Sequence, residues 1–394
     1  AMAYYTLADC LAQLGHDEEA AVSRKKAQSM PTVRVFPNRL YEIGVLDRAC
    51  EADENDGVAR YLLGCLLYGK GQHKKAAELW EAATKALPDF YIPYRNLAMA
   101  YYSHLDRKQD ALPYLEKAVS LHPGDDQLLN EVSFVMASIG VPGDKRAAYI
   151  RAHMPENCIS DDLHLELAKA YTAAGEYDRA IEVMLSHEFT PGEGGEFVIA
   201  ETYMFAQFAK GRHAFAAGDT ESALASFRAA LAIPENLHAG FWNESVTVPY
   251  RYFEAEALDR LGRKAEADEI IAAISKLNNS GMWNMGGEFT YYSAMLSRLA
   301  GREMEAQSIL RKAISGWEEA LAHPDYPHFG VKGGRFFYLC FVDDANVLRE
   351  ANLHYMLGYG MLALGETDKA RTHFRRSITL NPDNAKCALE LELL

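Results

Sequence analysis

An all-α array of antiparallel helix hairpins is the fold class this sequence predicts, and three observations predict it. Seven glycines are each followed by an alanine five residues later: Gly15/Ala20, Gly71/Ala76, Gly175/Ala180, Gly218/Ala223, Gly262/Ala267, Gly301/Ala306 and Gly365/Ala370. A large apolar residue often stands four positions after the alanine (Trp80, Phe227, Ile271, Leu310, Phe374), and a small one three positions further on (Ala27, Ala83, Ala230, Ala313). Pro31, Pro88, Pro234 and Pro382 then close units. Each feature has a mechanical reading. Glycine ends the first helix where the backbone needs positive φ. The alanine sits in the second helix, where a small side chain lets two helices approach closely. The +4 and +3 steps hold one helical face toward a core. Proline stops the second helix because it has no N–H to donate.

Taken in order, residues 1–56 predict an N-terminal hairpin around Gly15/Ala20 and a linking helix. Residues 57–155 predict regular repeats. The best unit runs from Gly57 to Phe90 with Leu63-Gly64, Leu67, Gly71, Ala76, Trp80, Ala83 and Pro88. The next runs from Tyr91 to Gly124 with Leu97-Ala98, Tyr101, Ala111, Leu115, Ala118 and Pro123, and carries one extra residue in its turn. Asp125 to Pro155 predicts a degenerate helical pair. Residues 156–394 predict hairpins with insertions, one continuous solenoid. Gly71 to Gly175 is 104 residues, close to three periods of about 34. Later glycine gaps of 43, 44, 39 and 64 place extra residues near Ile233–Thr247, Asn278–Glu288 and Leu321–Asn346. The last insert holds Pro324, Pro327, Gly330 and Gly333-Gly334 and predicts loop. Within it, Phe336 to Val342 reads equally as a short strand or a packed helical turn.

Period and signature residues together match the tetratricopeptide repeat (TPR), whose hairpins stack into a right-handed superhelix. A narrower resemblance rests on Phe36-Pro37-Asn38-Arg39, the run Tyr61 to Gly71, Leu79-Trp80-Glu81, Arg95-Asn96-Leu97-Ala98, and Pro234-Glu235-Asn236-Leu237 with Gly240. These resemble the C-terminal helical region of large bacterial TPR proteins of uncharacterised function. In that family the repeats follow an N-terminal β-sandwich related to galactose mutarotases. The resemblance implies a link to carbohydrate metabolism and a β-sandwich domain of the same polypeptide as a partner.

Composition narrows the function classes. Lys plus Arg is 40 against 55 Asp plus Glu, a net charge of −15, the wrong sign for a phosphate backbone. No apolar run reaches the length of a bilayer span, so no membrane partner is expected. The N-terminal residues contain no basic segment followed by an apolar one, so no signal peptide is visible there, and the chain reads as opening inside a repeat. Cys10, Cys50, Cys65, Cys158, Cys340 and Cys387 form no CxxC pair and predict reduced thiols in a cytoplasmic protein.

Catalytic motifs are missing from the sequence. No phosphate loop, nucleophile elbow, dinucleotide fingerprint or HExxH occurs, so no cofactor, metal or catalytic residue is expected. The acidic pairs Asp53/Glu54, Asp125/Asp126, Asp161/Asp162 and Asp343/Asp344 suit helix N-termini or solvent, and His354 reads as starting a helix. The inserts offer a better candidate. Phe241-Trp242-Asn243-Glu244 and Met282-Trp283-Asn284-Met285 share an aromatic-Trp-Asn kernel, and Tyr326, His328, Phe329 and Arg335 occupy the third insert. Aromatic faces beside amides and carboxylates hold sugars or peptides; equally, both tryptophans would serve to fill gaps between irregular hairpins. Arg60, Arg95 and Asn96 lie on first helices where some repeats grip a peptide carboxylate, but at no common repeat position. Leu389, Leu391, Leu393 and Leu394 form an apolar end suited to self-association. The function expected is a non-catalytic scaffold binding a peptide, protein or domain partner. The alternative is a helical accessory region whose inserted loops complete a sugar site.

Overall fold

The structure, a computed structural model, describes residues 1–192, 195–241, 244–276, 287–323 and 341–394. Every regular element among them is helical, as the repeat pattern predicts. The helices form two compact units. The first holds the described residues of 1–135 with Phe341 and Val342. It contains the hairpin α1 (Met2–Gln13) and α2 (Asp17–Gln28), a linking helix α3 (Leu40–Ala52), the hairpin α4 (Gly57–Gly69) and α5 (His73–Ala86), and the hairpin α6 (Tyr91–Ser103) and α7 (Lys108–Leu121). Helix α8 (Asp126–Ser138) begins in this unit.

The second unit holds the remaining described residues. Its helices are α9 (Gly143–His153), α10 (Asp161–Ala173), α11 (Tyr177–Ser186), α12 (Gly195–Ala216), α13 (Thr220–Leu231), α14 (Val248–Arg260), α15 (Lys264–Ile274), α16 (Gly287–Leu299), α17 (Glu303–Ala322), α18 (Ala345–Ala363), α19 (Thr367–Leu380) and α20 (Ala385–Leu393). The hairpins are α10/α11, α12/α13, α14/α15, α16/α17 and α18/α19.

One turn closes every glycine-marked hairpin. The seven glycines all take positive φ, from +74° at Gly262 to +86° at Gly218. At Gly71, the Gln72 N–H donates back to the Leu67 carbonyl at 2.9 Å and the Gly71 N–H to that of Tyr68 at 3.0 Å. At Gly365, Glu366 reaches Met361 at 2.9 Å in the same way. These bonds satisfy carbonyls that a helix end leaves without partners. Where the second repeat carries its extra residue, Asp106 takes φ 53° in place of a glycine, and the Arg107 N–H reaches back to Tyr101 at 3.0 Å. Gly140 closes α8 with the same geometry, Val141 donating to Met136 at 2.8 Å.

The paired alanines Ala20, Ala76, Ala180, Ala223, Ala267, Ala306 and Ala370 are buried without exception. Packing adds a rule that links the two helices of a hairpin. Gly64, Gly211 and Gly358 lie on first helices, and a Cβ on any of them would fall about 2.5 Å from the ring of Trp80, Phe227 or Phe374. Each ring lies sixteen residues downstream. Three hairpins with Ala at the same first-helix position have an aliphatic residue or methionine instead, Ala255 with Ile271, Ala294 with Leu310 and Ala168 with Met184, all buried, while α1/α2 departs from the pattern with Arg24 sixteen residues after Ala8. Small faces aromatic and slightly larger faces aliphatic, which keeps the interhelical volume close to constant.

Three of the four acidic pairs behave as helix-start residues, whereas Asp53 and Glu54 follow the end of α3, with Asp53 as its C-terminal cap. The Asp125 carboxylate accepts from the Leu128 N–H at 3.0 Å and that of Asp344 from Asn346 at 2.8 Å. Asp161 and Asp162 occupy the first turn of α10. Because Asp344 starts α18, His354 lies mid-helix rather than at a helix start. Of the segment left open between strand and turn, Phe336–Cys340 lie outside the described residues. Phe341 is buried against Tyr102 and Phe134, and the Val342 N–H donates to Ser103 Oγ at 3.0 Å.

His354 on α18 and His373 on α19 meet through their Nδ1 atoms at 2.9 Å, so one ring must donate and the other accept. Burial holds both imidazoles below the ordinary histidine range, and His373 lowers His354 further; Glu350 and Glu318 oppose the shift only in part. The unfolded chain therefore binds more protons than the folded one as pH falls through about 6.5. Stability is expected to drop with acidification through that window. The His354→Gln/His373→Gln double variant should show a flatter dependence of urea midpoint on pH between neutral and mildly acidic buffer.

Candidate functional site

Unit two contains a cavity of about 140 Å³ with aromatic walls and a charged side. Helix α12 presents Phe197, Glu201, Met204, Phe205 and Phe208 to it. Phe241 and the helical turn Glu244–Thr247 close one edge, α14 adds Tyr250, and α16 adds Glu288, Phe289 and Tyr292. Tyr355 and Tyr359 come from α18, and Lys386, Leu389 and Glu390 from α20. The helices can supply these residues because α12, α16, α18 and α20 carry polar groups on faces otherwise given to core.

A continuous polar chain runs along this side. Lys386 Nζ donates to Glu201 Oε1 at 3.1 Å and to Glu288 Oε2 at 3.2 Å. Tyr355 donates to Glu288 Oε1 at 2.8 Å. Tyr359 donates to Glu390 Oε1 and receives from Tyr292, both at 3.1 Å. Tyr355 and Tyr359 also lie 3.1 Å apart, so three phenol protons face four contacts and one contact lacks a proton in any arrangement. Behind the cavity, Arg212 grips Glu390 with Nη1 at 2.5 Å and Nη2 at 3.1 Å and lies 4.2 Å over the Phe253 ring.

The electrostatics follow from this wiring. Burial works against the charge on Lys386, but the Glu288 and Glu201 carboxylates override it and hold the ammonium form well above the usual lysine range. Burial is also the main reason that Tyr292, Tyr355 and Tyr359 stay protonated far above the ordinary phenol range. Arg212 and Glu390 neutralise each other. Lys386 offsets one of Glu201 and Glu288, so the described lining residues taken with Arg212 behind them carry one carboxylate more than they have cations.

Three segments match models of the tetratricopeptide repeat: residues 61–126, 163–187 and 351–384. They fall on α4 to α7, on α10/α11 and on α18/α19. The chain carries tetratricopeptide repeats. Solved structures similar to it include YrrB, described as a TPR protein with an unusual peptide-binding site, at 16% identity over 49% of this chain and 96% of that one, TM-score 0.36. Naa15/Naa10 bound to HypK-THB matches at 12% identity over 98% of this chain and 64% of that one, TM-score 0.43. TTC0263, a thermophilic TPR protein of Thermus thermophilus, matches at 20% identity over 52% and 98%, TM-score 0.29.

The TPR hairpins place the sequence candidates unevenly. Trp242, Asn243, Trp283, Asn284, Tyr326, His328 and Arg335 lie outside the described residues. Glu244 opens the turn at the cavity's edge, where its carbonyl accepts from Thr247 Oγ1 at 2.7 Å. In unit one, Arg95 grips Glu131 at 2.7 and 2.5 Å, Asn96 is buried with its amide 3.7 Å from Cys65 Sγ, and Arg60 donates to the Glu54 carbonyl at 2.7 Å. The C-terminal leucines are used within their own unit: Leu389 is buried, and Leu391, Leu393 and Leu394 pack half-buried on the same core. Among the described residues no group of three His, Cys, Asp or Glu is arranged to hold a metal ion, and no helix is long and apolar enough to cross a membrane.

The residues of the cavity's polar chain form no compact sequence motif because they are spread from position 201 to position 390. A local signal existed in Lys386 and Glu390. They stand one helical turn apart within Ala385–Leu393, between apolar neighbours that mark a buried face.

Proposed function

We propose that this chain is a non-catalytic protein-interaction scaffold whose helical-repeat surface binds a peptide, protein or domain partner. One observation supports this above the others: the same hairpin recurs with the same glycine closure and buried alanine in both units. Repetition of one packing solution produces extended surface and does not by itself converge reactive groups. The net charge of −15 favours a basic partner and disfavours nucleic acid. A cytoplasmic setting, a bacterial source and a β-sandwich partner from the same polypeptide are finer parts of the proposal and rest on the cysteine pattern and the family resemblance. The sugar-site alternative rests on Trp242 and Trp283, and the three repeat matches lend it no support.

Cross-linking in the native host, affinity capture of the full chain and mass spectrometry test the proposal. The expected result is a stoichiometric partner that rebinds when both components are purified. Absence of any partner above an untagged control, with no binding on reconstitution, would overturn it. The full chain is expected to be silent on a glycan array; a saturable glycan signal lost in the Trp242→Ala/Trp283→Ala variant would favour the alternative.

A further inference from the structure

We propose that the aromatic cavity of unit two is a binding site for a basic–hydrophobic peptide segment, one that places a single large apolar side chain beside a lysine or arginine. The inference deepens the scaffold reading and rests on it. Size, wall chemistry and charge carry it together. A cavity of about 140 Å³ is close to the ~150 Å³ apolar cavity that admits a benzene ring in a model protein. It therefore takes one aromatic or branched aliphatic side chain. Phe205, Phe241 and Phe289 line it, so such a side chain exchanges water for apolar contact.

Charge decides what accompanies that side chain. Glu201 and Glu288 share the single ammonium of Lys386, and the Glu201 side chain is still 59% exposed. An anion entering here would meet two carboxylates within 3.2 Å of the only cation among the described lining residues. A cation enters beside a carboxylate at the rim and near aromatic faces, which attract positive charge. An uncharged ligand gains neither of these two attractions, which act on positive charge. The chain's overall acidity acts in the same direction at longer range.

The test titrates the full chain, by calorimetry at low ionic strength, with three blocked pentapeptides that differ only in their central triplet: Lys-Phe-Lys, Glu-Phe-Glu and Lys-Ala-Lys. The Lys-Phe-Lys peptide is expected to bind saturably, and the other two at least about tenfold more weakly, since each lacks either the charge or the anchor. Glu201→Gln, a rim substitution that leaves the core intact, should weaken Lys-Phe-Lys binding by about three- to fivefold. Phe241→Ala should weaken it further, with the far-ultraviolet spectrum checking the fold. Equal binding of the acidic and basic peptides, no saturable binding, or binding unchanged by Glu201→Gln would each overturn the proposal. If the peptides fail while a native partner is still captured, the cavity assignment falls and the scaffold reading stands. If native capture also fails, both fall.

Discussion

Glu390→Gln is expected to destabilise unit two by about 3–5 kcal/mol, the usual result of leaving one member of a buried ion pair alone. Glu390 is 4% exposed and Arg212 9%. The carboxylate accepts two guanidinium bonds and the Tyr359 hydroxyl. Burial alone would lower the arginine's affinity for its proton, and Glu390 reverses that, holding it above the usual guanidinium range. Gln keeps the shape and an acceptor for Tyr359 but removes the counter-charge, so the penalty reports the unpaired guanidinium. Replacing both partners, as Arg212→Met/Glu390→Met, should recover most of the loss because no charge is then buried. Urea unfolding gives the magnitude, and amide hydrogen exchange along α12 and α20 gives its location. A single variant within about 0.5 kcal/mol of the parent, the range of ordinary surface changes, would show that water reaches this pair freely.

Gly358→Ala, Gly211→Ala and Gly64→Ala are each expected to cost about 1–3 kcal/mol, although alanine is the better helix former. The new methyl would press on the Phe374 ring, or lie 2.5 Å from the ring of Phe227 or from Trp80 Nε1. None of these rings has free space to move into: all three are fully buried, and Trp80 Nε1 also donates to the Tyr61 carbonyl at 3.2 Å. Gly316→Ala is the control. It is exposed in the middle of α17 with nothing near its Cβ position, and should stabilise by about 0.5–1 kcal/mol. The sign therefore reverses with location for the same chemical change. Phe374→Leu in the Gly358→Ala background should be less damaging than the two single changes summed, because it recreates the Ala–aliphatic pairing of Ala294 with Leu310. Urea midpoints of the single and double variants measure this, and additive losses would remove the volume rule.

Much of the fold was legible because its determinants are local. Gly71 and Gly365 announce positive φ by residue type alone, and Pro88 and Pro382 sit just past helices that end at Ala86 and Leu380. The period then repeats this information along the chain. The cavity was not legible in the same way. Glu201, Glu288, Tyr355 and Lys386 each look like an ordinary helical residue, and only packing of α12, α16, α18 and α20 brings them into contact. Arg95 shows the converse. Its position on a first helix suggested a ligand contact, but nothing local reveals Glu131, thirty-six residues on, as its ion-pair partner. Leu389 likewise gives no local sign that α20 turns it into the core of its own unit.

The sequence by itself determined the helices, their turns and which face of each points inward. These follow from backbone torsions, capping and a 3.6-residue period, all set within a few positions of each residue. Tertiary structure alone decided that Gly64 must match Trp80 while Ala294 matches Leu310, and that Glu201 and Glu288 share the ammonium of Lys386 while Glu288 also accepts from Tyr355. Those outcomes depend on volume and on charge in a low-dielectric interior. Both are properties of what surrounds a residue after the chain has folded, not of the residue's place in the sequence.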